Sequence, residues 1–438
     1  MGLAEEIAQL VEETPFVDTH EHLLEESTRL QRPENSPRPE RTVKDFSVLL
    51  SHYADSDLVV AGLPPADYQQ FFRPDVSPKD KWKLVGKYYE RARHTGYLQN
   101  VRESVRMLYG IDDLSAETVQ EVSDRVAALI VPGYYQHVLK EVSLVEHCQV
   151  NSLEEGLFME TAQPELLCQD LSFVRLSTGL DVLYVAKLAG REVHSLEDWH
   201  QLIDWSFATY GPRAIAVKNQ SAYARKLDYA QVSAQEAAPL FARYLKDAKA
   251  LSDAEHKAIQ DHLFHYCVRQ ATEYKLPVKL HTGYYAGNSN MPLNRLRHNA
   301  GDMCELLRQH PDTPFVIMHI TYPYQDEAIA IAKHYPNAYI DMCWAWIINP
   351  LAGVRFVKEF LMAAPANKLL TFGGDYMPVE LVPGHARIAR RGLAQALNEL
   401  VAEDWLASRE VPALVERLMR GNAHELFDYE GTLANWKG

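Results

Sequence analysis

The chain has 438 residues, 44 Lys plus Arg against 59 Asp plus Glu, and a formal charge of -15, a balance that excludes a nucleic-acid binder held by phosphate neutralisation. Hydrophobic residues at 47% and charged residues at 24% exclude disorder over most of the chain. The longest unbroken apolar run, Met342 to Ile348, is too short to span a bilayer, so neither nucleic acid nor membrane is expected as a partner.

At the N-terminus, MGLAEEIAQLVEET is acidic and amphipathic and lacks the basic n-region and continuous apolar core of a secretory signal, so a cytoplasmic chain is expected. Five cysteines (Cys148, Cys168, Cys267, Cys304, Cys343) show no CxxC spacing, which argues against a disulfide framework or a structural zinc knuckle. Histidine is the unusual residue. There are 18, several of them at the ends of apolar runs.

Short apolar runs recur between longer amphipathic stretches, the pattern of buried parallel strands in βα units. In chain order they are Pro15 to Thr19, Val142 to Val150, Leu171 to Leu176, Ala214 to Lys218, Pro277 to His281, Phe315 to His319, Ala338 to Cys343 and Leu369 to Gly373. The second and third are the least defined, because the region from Val131 to Thr178 can be phased otherwise. Helices are predicted over Glu197 to Ala208, Gln235 to Ala250, Ala254 to Tyr274, Gly301 to His310, Gln325 to His334 and Val354 to Ala363, with terminal helices from Gly384 onward. Eight such units close into a (β/α)8 TIM barrel, read as one domain over 1–438. The stretch 24–133, with the charged segment RPENSPRPER and helical patterns such as Lys79 to Ala92, is read as a helical insertion after strand one that covers the barrel mouth.

Strand one ends in Asp18-Thr19-His20-Glu21-His22. Residues i and i+2 of a strand share a face, so His20 and His22 can present two imidazoles to one point. PVKLHTG ends in His281, FVIMHITYP carries His319, and LLTFGGD ends in Asp375. Side chains at the C-terminal ends of barrel strands converge on one active site, and these four strand ends carry ligand types for a borderline divalent ion such as Zn2+. A fifth strand end carries Lys218. It is either an ordinary cation that binds a substrate carboxylate or a lysine carboxylated by CO2 into an anionic bridge between two ions.

HxH after strand one, Lys after strand four, His after strands five and six and Asp after strand eight resemble the metal-site signature of the amidohydrolase superfamily. KxxxAY, HTG, HxxYP and YPNxYxD resemble the branch that holds uronate isomerases and the amidohydrolase domains of nodulin and glutamine-synthetase-like proteins. That resemblance implies one or two divalent ions held by His20, His22, Lys218, His281, His319 and Asp375, with Asp375 as general base. His319 is either a ligand or a contact to the developing oxyanion. Tyr223, Arg225, Tyr284, Tyr322, Trp344 and Glu380 are the candidate substrate contacts, and Arg225 stands where relatives carry an Arg for an anionic group. Two departures from the pattern stand out. Gly374 precedes the Asp where many relatives have Ser, which is expected to matter little, and Asn219-Gln220 after Lys218 is more polar than usual.

The expected activity is metal-dependent hydrolysis of an amide, ester or similar carbonyl bond in a small anionic molecule. The alternatives are aldose-ketose isomerisation of a sugar acid and non-oxidative decarboxylation, the second disfavoured by Lys218. A metal-bearing scaffold without activity is the non-enzymatic reading, and assembly into a homo-oligomer is left open.

Overall fold

In the computed structural model the described residues are 2–31, 42–154, 156–287 and 291–437; the segment RPENSPRPER, 32–41, lies outside them. Eight strands run in sequence order around one sheet: β1 (Phe16–Glu21), β2 (Val145–Val150), β3 (Leu167–Ser172), β4 (Ala214–Asn219), β5 (Val278–Leu280), β6 (Phe315–Ile317), β7 (Ala338–Asp341) and β8 (Leu369–Leu370). Their pairing is parallel, and helices separate them, which makes the fold a (β/α)8 barrel. Beyond β8 the backbone runs along β1: Thr19 N donates to Phe372 O (3.0 Å), Asp375 N to His20 O (2.9 Å) and His22 N to Tyr376 O (2.9 Å). No helix among the described residues is long and apolar enough to cross a membrane.

Seven strands lie where the apolar runs place them, some shorter than expected. The third does not: it is Leu167–Ser172 rather than Leu171 to Leu176. Its middle holds Gln169 and Asp170, both buried, which a search for apolar runs passes over. Asp170 is tolerated there because Lys279 of β5 donates to both its carboxylate oxygens at 2.9 Å, with both side chains fully buried. Phe173 and Leu176, which drew the expectation downstream, are buried in the turn that follows.

Packing divides the chain into two compact units, residues 1–150, 285–292 and 341–423, and residues 151–284, 293–340 and 424–438. The first unit contains β1, β2, β8 and the insertion. The described residues of the insertion carry helices at Glu26–Leu30, Ala54–Val60, Pro65–Phe71, Pro78–Ala92, Gly96–Tyr109 and Val119–Leu129. Local chemistry sets their starts. Ser77 and Thr95 accept from the backbone N–H of Asp80 and Leu98, satisfying donors that a helix N-terminus leaves open, and Pro65 and Pro78 occupy first-turn positions where no N–H is needed. Helix Gly96–Tyr109 packs against the long helix Val382–Ala402, and a Cβ at Gly384 would lie 2.3 Å from Asn100 O. Glycine there permits the close approach.

The second unit contains β3 to β6 and the helices Leu196–Tyr210 and Asp253–Glu273. Two imidazole pairs lie inside it. His200 Nε2 is 2.9 Å from His262 Nε2, and His265 Nδ1 is 2.7 Å from His310 Nε2. Burial lowers the pKa of all four, with His200 and His310 pushed down to about 4; Arg269 opposes protonation of each, while Asp261 favours it at His265. An unfolded chain protonates these rings near 6.5, whereas the folded chain does so only at lower pH. The stability they contribute is therefore complete above 6.5 and is lost as pH falls toward 4. Urea midpoints measured across that window should fall in the wild type, and His200→Gln with His310→Gln should make the fall shallower; an unchanged slope would refute the assignment.

Candidate metal centre

His20 lies on β1 and His22 just beyond its end, so the two side chains fall on one face of the extended chain. Asp375 follows the Gly373-Gly374 pair that carries the chain away from β8. His20 Nε2 is 3.0 Å and His22 Nε2 3.2 Å from the same Asp375 oxygen, Oδ1, and the three ligand atoms all lie within 4.8 Å of one another. Donors bound at about 2.1 Å around one ion are separated by roughly 3.0 to 4.2 Å, so the set fits a divalent ion. Two imidazoles and a carboxylate suit zinc and its first-row neighbours. His20 is fully buried and the Asp375 side chain 6% exposed, while the His22 side chain, at 11%, is the member most open to solvent.

Asp375 is held in an unusual conformation. Its φ is +63°, the left-handed region that few side chains adopt. The Tyr53 hydroxyl donates to the Asp375 carbonyl oxygen (2.6 Å) and to its Oδ2, and His52 Nε2 lies 3.1 Å from that carbonyl. His52 and Tyr53 also have positive φ, 48° and 88°, and Tyr53 stacks on Trp344 with ring centroids 4.6 Å apart. Strained backbone of this kind clusters at active sites and ligand clamps. Sequence reading missed His52 and Tyr53. Their only signal is the stretch Ser51-His52-Tyr53 that follows the run Phe46 to Leu50 just before a helix.

Acids lie behind the centre. Asp18 and Glu21 are fully buried; burial raises both carboxyls, Asp18 to about 7, and each is further raised by a neighbouring acid. Two adjacent carboxyls without solvent cannot both ionise readily. Glu21 Oε2 accepts from Tyr376 N, while Asp18 Oδ1 accepts from His20 N (3.2 Å) and Gly374 N (3.3 Å). Asp341 accepts from the Thr19 hydroxyl (2.8 Å) and Cys343 N (2.8 Å). The Gly374 departure therefore matters more than expected: a Cβ there would lie 1.8 Å from Glu21 Oε1, so the buried glutamate occupies the space a serine needs.

The second unit assembles another part of the predicted set. His319 Nε2 is 2.9 Å from His281 Nδ1, His281 Nε2 is 3.0 Å from Tyr284 O, and the Tyr223 ring lies 4.4 Å from His281. His319, Ile320 and Thr321 all have positive φ. The Tyr284 and Tyr322 rings are 6.4 Å apart. Lys218 lies on β4, 1% exposed and in register with Ser172 and Lys279. Arg225 is bound to Asp261 and stacked over Tyr229 at 4.4 Å. In the first unit Trp344 is fully buried beneath Tyr53, and Glu380, also fully buried, accepts from Arg29 Nε at 2.8 Å.

The sequence profile of the amidohydrolase family matches residues 206–429. The chain belongs to the amidohydrolase family. Among curated proteins it is similar to protein fluG of Emericella nidulans, 27% identical over 233 residues, 51% of this chain and 26% of that protein; the chain thus spans about a quarter of that relative's length. The fold is shared with uronate isomerase of Thermotoga maritima (TM-score 0.75, 14% identity, 97% of each chain) and glucuronate isomerase of Caulobacter crescentus (0.75, 16%, 98% of this chain and 94% of that one). It is also shared with a putative metal-dependent hydrolase of Lactobacillus casei (0.65, 16%, 98% of each chain). Family membership implies a divalent ion, and the His20, His22 and Asp375 geometry fits one.

Replacing His20 or His22 by Ala should lower metal affinity at least tenfold while circular dichroism stays native. Gly374→Ser should lower both metal content and thermal stability, because the hydroxymethyl group displaces Glu21. A serine variant with native metal content would show that the glutamate relaxes freely.

Proposed function

We propose that the protein is a metal-dependent hydrolase, using zinc, that cleaves an amide, ester or similar carbonyl bond of a small molecule. The observation that carries this reading is the convergence of His20 Nε2, His22 Nε2 and Asp375 Oδ1 on one point. A divalent ion there supplies a lowered pKa to a bound water and polarises a carbonyl. His20 and His22 hold and orient the ion. Asp375 offers Oδ1 to that point and keeps Oδ2 for a proton, so it serves as general base toward the attacking water and then as acid toward the leaving group. Tyr53 fixes the rotation of that carboxylate from the opposite side.

His281 and His319 stand at the ends of β5 and β6, and the strand-end rule for barrel enzymes supports assigning His281 as a further ligand and His319 as ligand or oxyanion contact. Lys218, buried on β4, is assigned in this reading as a lysine carboxylated by CO2 into an anionic bridge between two ions. Tyr223, Tyr284, Tyr322 and Trp344 remain the proposed aromatic contacts to substrate.

One observation favours a second reading, aldose-ketose isomerisation. The Tyr53 hydroxyl on Asp375 Oδ2 pairs two proton-bearing groups at one site, and an enediol route uses one base to carry the proton between adjacent carbons and a second group to move a proton between their oxygens, where hydrolysis needs one. Loss of Asp375 and of Tyr53 separates the two. Asp375→Asn should keep the fold and bound metal yet lower turnover by about 10²- to 10⁴-fold, measured on a panel of amides, esters and lactones with metal content determined on the same preparation. Tyr53→Phe should lower hydrolysis by no more than about tenfold, whereas an isomerase should lose as much from Tyr53→Phe as from Asp375→Asn. Near wild-type turnover in a fully metallated Asp375→Asn protein would sink the base assignment.

A further inference from the structure

The insertion leaves a cavity of about 320 Å³ beside the metal centre, within the size range of small-ligand sites. Three of its lining residues tie it to the centre. Leu24 lies two residues beyond His22, Met377 two beyond Asp375, and His52 reaches the Asp375 carbonyl oxygen at 3.1 Å. Val48, Phe72 and Pro378 complete an apolar wall. Asp55 brings a carboxylate to the lining, and its Oδ2 accepts from the Tyr68 hydroxyl at 2.8 Å.

No Lys or Arg is found among the described residues that line this cavity. A carboxylate entering it would lose hydration and approach Asp55, each of which opposes binding. Arg225, the side chain whose sequence position points to an anionic ligand, already has its charge balanced by Asp261. An apolar group with a positively charged head meets the opposite situation: wall carbons for its body and the Asp55 carboxylate for its charge. Burial raises the Asp55 carboxyl above its ordinary range, and a nearby ammonium would favour the ionised form.

We propose that this cavity binds the side group of the substrate and selects a small apolar organic cation, an amine carried on an aryl or branched alkyl body. This deepens the hydrolase reading by naming the substrate class, and it revises the expectation of an anionic substrate.

Benzylamine, benzyl alcohol and benzoate share a ring and differ in head-group charge, which makes them suitable probes. Binding is measured by calorimetry and ligand-observed NMR on chelator-treated protein, so that no amine can bind a metal instead. Benzylamine should bind at least about tenfold more tightly than benzoate, a difference of about 1.4 kcal/mol, with benzyl alcohol between them. Asp55→Asn should bring benzylamine down to the level of benzyl alcohol, and Phe72→Ala should weaken all three together. Should Asp55→Asn fail to fold, Gln69→Arg at the exposed rim of the cavity tests the same electrostatics by raising benzoate relative to benzylamine. Benzoate binding as tightly as benzylamine, a ranking unmoved by these substitutions, or no saturable binding of any probe would overturn the proposal. Because the readout needs neither metal nor turnover, a protein that keeps the ranking but hydrolyses nothing would refute the hydrolase reading alone.

Discussion

The metal centre depends on the backbone of Asp375 being held in the left-handed region, at φ +63°. An aspartate tolerates that region better than most side chains, but it does not choose it unaided. Here the amide is tied to His20 O on one side and the carbonyl to Tyr53 and His52 on the other. The same constraint aims Oδ1 at both histidines. The geometry of the centre is thus set by backbone hydrogen bonds between β1 and the segment after β8, with the insertion as the third support.

That arrangement explains why so many acids are buried around it. Asp18, Glu21 and Asp341 are each fully buried, an expensive composition unless their oxygens are satisfied. They are used to receive backbone amides at sharp turns: His20 and Gly374 on Asp18, Tyr376 on Glu21, Cys343 on Asp341. Burial keeps Asp18 and Glu21 readily protonated, which limits the negative charge stored beside the Asp375 carboxylate. Gly374 is the steric counterpart of this scheme, since a Cβ there would lie 1.8 Å from Glu21 Oε1 and force the glutamate to move.

The insertion is anchored by the same kind of chemistry. Arg29 and Glu380 form a fully buried ion pair between the helix Glu26–Leu30 and the turn before the helix Val382–Ala402. Removing one partner of such a pair leaves an uncompensated charge in the interior, at about 3 to 5 kcal/mol. Glu26 adds a second tie by accepting from the backbone amides of Gly133 and Tyr134 at the far end of the insertion. Glu380, read from sequence as a candidate substrate contact, therefore has a partner of its own in Arg29.

The sequence by itself determined the barrel and pointed to the cluster of His20, His22 and Asp375. Alternation of apolar runs with amphipathic stretches is a local property, so it located seven of the eight strands. The period of two along β1 was enough to put His20 and His22 on one face. It failed at β3 because Asp170 is admitted to the interior only by Lys279, a residue more than a hundred positions away. Tertiary structure alone decided the rest. That Tyr53 and His52 grip Asp375, that Gly374 yields its space to Glu21, and that Arg225 and Glu380 are each held by an opposite charge are all contacts between residues distant in sequence. No periodicity records such contacts, because each depends on where the backbone turns rather than on which residue comes next.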